Sequence, residues 1–82
     1  MNKVLDVRPK RAGILEVELA DGRRGEFDVR PFMVSDFFRE LQDEAYFKQV
    51  RIFFGGVGWP NGQDLGPDTI SEELRASEDL AA

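Results

Sequence analysis

The sequence contains no cysteine and no histidine. Without cysteine there is no disulfide, no thiolate metal site and no thiol nucleophile. Small secreted domains usually depend on disulfide staples, so their absence leads us to expect a reducing, cytoplasmic setting. Without histidine the chain lacks the commonest general base, the commonest zinc ligand and the natural switch near neutral pH. Neither Ser-His-Asp nor Cys-His catalysis can be assembled from one copy. Long apolar runs are missing too. No stretch approaches the roughly 20 residues of a membrane span, and Asp6 interrupts the amino-terminal residues too early for a secretory signal. The expectation is a non-enzymatic protein with no cofactor, no metal and no membrane partner.

What is present is a set of rings. Seven Phe, one Trp and one Tyr stand among 82 residues. A domain of this length buries only about 60–65% of its unfolded surface, so large side chains must build the core. Each aromatic buries about 150–250 Å². One domain over residues 1–76 is the economical reading, with 77–82 as a frayed tail.

Net charge is -5 and unevenly spread. Residues 1–30 carry seven Lys/Arg against six Asp/Glu, and residues 31–82 carry four against ten. An acidic protein repels bare nucleic acid at long range, so direct nucleic-acid binding is not expected. A basic partner suits it better.

Periodicity organises the chain. Residues 3–8 read as a short strand ended by Pro9. Residues 14–20 alternate, with Leu15, Val17 and Leu19 on one face and Glu16 and Glu18 on the other. Asp21-Gly22 is a hairpin signal, pointing to a type I′ turn. The returning strand, Arg24–Val29, turns Phe27 and Val29 inward and Glu26 and Asp28 outward. After Pro31 the period changes. Val34, Phe37, Phe38 and Leu41 stand at helical spacing, with Ser35 or Asp36 as cap. A short turn, Asp43–Phe47, delivers Phe47 to the core. Residues 48–54 read as a strand with Val50, Ile52 and Phe54 on one side. Gly55-Gly56 turns the chain and Val57-Gly58-Trp59 returns. Pro60-Asn61-Gly62 is another turn, and Asp64-Leu65 pairs briefly. Thr69 and Glu72 match a capping box, and Ile70 and Leu74 share a helical face. The fold class is α+β: an antiparallel sheet of hairpins with two or three short helices on one face.

The order of these features is familiar: the Asp-Gly hairpin, Phe27-Asp28-Val29-Arg30-Pro31, a Phe-rich helix, Phe47-Lys48-Gln49-Val50, Gly55-Gly56, and Trp59-Pro60-Asn61-Gly62-Gln63-Asp64-Leu65. Over about residues 3–75 the chain resembles the small bacterial domain-of-unknown-function family numbered 2442. The resemblance implies an α+β fold and no established activity. Members of that family stand alone or are fused ahead of a helix-turn-helix segment, and some are assigned to toxin–antitoxin pairs on genomic grounds. Here the sequence stops soon after its final helix, which speaks against a DNA-reading role.

Several constellations invite a functional reading. Gly55-Gly56-Val57-Gly58 lacks the following helix and Lys of a phosphate loop, so it reads as a turn. Asp64, Asp68, Glu72 and Glu73 lack the spacing of a calcium loop and no pair stands out as acid and base. Arg8, Lys10, Arg11, Arg23 and Arg24 form a basic knot, interleaved with Glu16, Glu18, Asp21 and Glu26. Trp59 reads as a core anchor or as a partner contact, with Pro60, Asn61 and Asp64 beside it. The terminal Leu80-Ala81-Ala82 looks like a degradation signal. These features lead to an expected protein-interaction module: an antitoxin-like partner of a small basic protein, or of a second copy. The alternatives are an accessory to nucleic-acid regulation and a small-molecule sensor.

Overall fold

The computed structural model describes residues 2–76. Two three-stranded antiparallel sheets share one core. The first contains β1 (Val4–Arg11), β2 (Ile14–Leu19) and β3 (Arg24–Asp28), paired in that order. The second contains β4 (Arg51–Phe53), β5 (Gly56–Gly58) and β6 (Asp64–Leu65). A Val4 N–H donating to the Gly55 carbonyl at 2.8 Å ties the sheets together. Between them run two 3₁₀ turns, Arg30–Val34 and Phe38–Gln42, and a one-turn helix α1 (Glu44–Phe47). Helix α2 (Pro67–Glu73) follows β6.

The alternation in β2 works as its sequence dictates. Leu15, Val17 and Leu19 are buried, and opposite them Phe27 and Val29 are buried too. Phe27 stacks on Phe32, with ring centroids 5.9 Å apart. β1 does not stop at Pro9, which pairs with Leu15 inside the strand. An edge strand tolerates proline because one row of its N–H groups faces away from the ladder.

Other expectations are corrected. Among the described non-glycine residues φ is positive only at Phe54, so Asp21 does not enter a type I′ turn. Only Gly22 is left-handed there, and its N–H donates to the Leu19 carbonyl. Glu26 does not point to solvent; it is 2% exposed. Lys10 Nζ lies 2.9 Å from its carboxylate and Arg11 Nη2 3.1 Å, so a pair of cations offsets the burial of one anion. The span 34–41 is not an amphipathic α-helix. Pro31 leads a 3₁₀ turn that ends at Val34, Ser35 is extended, and a second turn begins at Phe38. Leu41 reaches the core, while Val34 and Phe37 are left outside. The Phe38 N–H donates to Ser35 Oγ at 3.3 Å. Asp43 caps α1, accepting from the Ala45 and Tyr46 N–H groups.

The β4 reading is also revised. Ile52 and Phe54 are exposed; the turn falls at Phe54-Gly55 rather than Gly55-Gly56, which takes Phe54 out of the strand. Both central residues have positive φ, 48° and 81°, the signature of a type I′ hairpin. Thr69 lies inside α2 rather than at its start. Gly66 is the N-cap, Pro67 opens the helix, and no side chain caps it. Ile70 is buried and Leu74 packs against the core. The Glu26 and Arg75 backbones exchange hydrogen bonds of 2.7 and 2.9 Å, which covers the free edge of β3. The Ser77–Ala82 tail and its Leu-Ala-Ala ending lie outside the described residues.

Candidate functional site

Trp59 is 3% exposed and belongs to the core. Its indole N–H donates to the Phe47 carbonyl at 2.9 Å, and its ring lies 6.0 Å from that of Phe47. Strand β5 carries it inward, and the Trp59 carbonyl accepts from the Gly62 N–H to close the next turn. Of the residues expected to contact a partner, Trp59 is inside, while Pro60, Asn61 and Asp64 are exposed.

Beneath Pro60 and Asn61 lies a buried polar network that the sequence does not announce. The Tyr46 hydroxyl donates to Gln63 Oε1 at 2.6 Å and accepts from the Asn61 N–H at 2.7 Å. Gln63 Nε2 donates to the Phe37 carbonyl at 2.9 Å and to Glu40 Oε1 at 3.0 Å. Asn61 Nδ2 donates to the other Glu40 oxygen at 2.7 Å. Gln63 is 1% exposed, and no buried side-chain polar atom among the described residues lacks a partner. Such a network is costly to leave half-made, so it holds its segments in one arrangement. Here it locks the 3₁₀ segment to the Pro60–Gln63 turn.

That lock presents an apolar surface to solvent. Val34 is 80% exposed and Phe37 54%. The Phe37 ring approaches Gly62. Asp36, Glu40 and Asp43 on the same segment and Asp64 beyond the turn are exposed as well. Asp36 is paired with Arg39 at 3.1 Å.

The basic knot does not form a positive patch. Arg8 pairs with Asp6, Lys10 and Arg11 with Glu26, Arg23 with Asp21, and Arg24 with Glu18. The Arg23 N–H and guanidinium hold the Asp21 carboxyl below the usual carboxylate range. Arg30, with help from Arg75, does the same for Asp28. A cleft of about 210 Å³ lies beside the β1–β2 turn, with Met33, Leu41 and Phe47 among its walls and Arg30 and Glu44 at its rim. Asp64 lies on β6, whereas Asp68, Glu72 and Glu73 lie on α2. Among the described residues no three Asp or Glu side chains gather as a metal site would require. No helix of the described residues is long and apolar enough to cross a membrane.

The missed residues are Tyr46, Gln63, Glu40 and Glu26. Tyr46 and Gln63 lie in short turn-like stretches whose burial leaves no periodic trace, and Glu40 is exposed and joins the network through its carboxylate. No curated protein and no solved structure matches this chain. A family model described as a protein of unknown function (DUF2442) matches residues 4–76. That span takes in both sheets, the polar network and α2, and the chain belongs to this DUF2442 family.

Proposed function

We propose that the protein is a non-enzymatic interaction module, and that the face around Val34, Phe37, Pro60 and Asn61 receives a small basic protein in the manner of an antitoxin. One observation carries the reading. Phe37 stands in solvent on a segment that a satisfied polar network ties to the Pro60–Gln63 turn, and Val34 is exposed at the end of the preceding 3₁₀ turn. Preorganisation of this kind reduces the ordering cost of association. The exposed acids Asp36, Glu40 and Asp43 of this segment supply charge complementarity, which speeds encounter and selects partners. The pairing of the amino-terminal cations with acids weakens the nucleic-acid alternative.

The test is affinity capture from the native host with two baits, the wild-type chain and Phe37→Asp. Recovery of a discrete basic protein by the first bait alone supports the proposal. Identical recoveries from both baits, or no specific protein from either, would exclude this face as the contact.

A further inference from the structure

A second surface carries its own signal. Phe54 is 89% exposed and sits at φ 48°, the left-handed region that a bulky side chain enters only at a cost. Asn or Gly would serve the type I′ turn better. A ring that neither packs in the core nor suits its backbone needs another reason to be there.

The register supplies the surroundings. Arg51 pairs with Gly58, and Gly58 pairs with Asp64. Residues directly opposite in a sheet share a face. Arg51 and Asp64 therefore flank a glycine that carries no side chain. Phe53, two residues after Arg51, is on that face as well and leans over Gly58. The opposite face carries Val57 and Leu65, both buried, with Ile52 exposed beside them on β4. The Phe53 and Phe54 rings meet edge to face at 4.5 Å. Lys3 and Arg51 are the only Lys or Arg side chains with no ion pair among the described residues, and Lys3 lies beside Gly55 at the hairpin tip. Among the described residues the Asp64 side chain has no ion pair or hydrogen bond either.

We infer that the outer face of β4–β6 is a two-fold contact with a second copy of this chain, in which Arg51 of each copy meets Asp64 of the other while Phe53 and the tip residue Phe54 supply the apolar contact. One patch holds an unpaired cation, an unpaired anion and apolar rings, which makes it self-complementary. A two-fold axis requires that property, since residue i must meet j while j meets i. The patch is small, so the dimer forms weakly and dissociates on dilution. Asp64 borders both this patch and the acidic face, so the two readings are separated by their readouts: the mass of the chain alone reports the dimer, and Arg51 and Phe54 touch only this patch.

Sedimentation equilibrium across a dilution series tests it. The wild-type chain should dimerise. Arg51→Asp and Asp64→Arg should each weaken the dimer at least tenfold, and the double charge swap should restore it. Phe54→Gly should weaken the dimer at least tenfold while raising the melting temperature, which separates loss of contact from loss of fold. A wild-type chain that stays monomeric at high micromolar concentration overturns the inference. So does a dimer that all three single variants leave intact, or a double swap that stays monomeric when each single change dissociates the dimer.

Discussion

Replacing Trp59 by phenylalanine tests the centre of this fold. The change keeps an aromatic ring but removes the pyrrole part of a side chain that is 3% exposed. It also removes the donor that satisfies the Phe47 carbonyl at 2.9 Å. Stranding a buried acceptor costs about 1–3 kcal/mol. The void left by the smaller ring adds about 1 kcal/mol, by analogy with other large-to-small core changes. Together the loss is about 2–4 kcal/mol, a large share of the about 5–15 kcal/mol that stabilises a typical domain. For a domain of this size each kcal/mol moves the melting temperature by about 4–8 °C, so the midpoint should fall by about 8–32 °C. Urea denaturation followed by far-UV circular dichroism reads this directly, since the variant has no tryptophan to report fluorescence. An unchanged slope with a lower midpoint would identify a loss of stability rather than a change in the unfolded chain. A loss below about 1 kcal/mol would refute the argument, because burial and the bond to Phe47 would then contribute no more than an ordinary exposed contact.

Three further outcomes follow from the same geometry. Tyr46→Phe leaves Gln63 Oε1 and the Asn61 N–H without their partner and should cost about 1–3 kcal/mol in chemical denaturation. Glu26→Gln removes the anion between Lys10 and Arg11; breaking a buried ion pair costs about 3–5 kcal/mol, so this variant should lose several times more than Glu18→Gln on the exposed face. Asp28 titrates below its ordinary value, chiefly through its hydrogen bond to Arg30. Its contribution to stability is therefore present above the ordinary carboxylate pKa of about 3.9 and fades as pH falls through its lower folded value. In thermal melts between about pH 5 and 2, Asp28→Asn should flatten the acid-side decline, and an unaltered slope would remove Asp28 as a contributor.

Most of the hairpin architecture was legible because strands with one buried face announce themselves. Leu15, Val17 and Leu19 alternate with acids, and the turns at Gly22, Gly55 and Gly62 are marked by residues that accept positive φ. The returns at β5 and β6 and the delivery of Phe47 to the core were legible for similar reasons. The 34–41 segment misled because helical spacing records where apolar residues stand, not whether a tertiary partner waits for each of them. Val34 and Phe37 stay exposed, with Phe37 only brushing the turn at Gly62, and the extended Ser35 split the run into two 3₁₀ turns. Glu26 misled for the opposite reason. Alternation placed it outward, but two cations from β1 and the backbone of Arg75 closed over it.

The candidate surfaces divide along the same line. The sequence by itself determined the core face of the first hairpin, the strand order within each hairpin and the segment Trp59–Asp64 as a place of interest, since these rest on local pattern and turn chemistry. Only the tertiary structure decided that Trp59 faces inward, that Gln63 joins Tyr46 to Glu40, and that Arg51 and Asp64 share a face two strands apart. Each of those outcomes depends on residues distant along the chain meeting in space, and no local period encodes such a meeting.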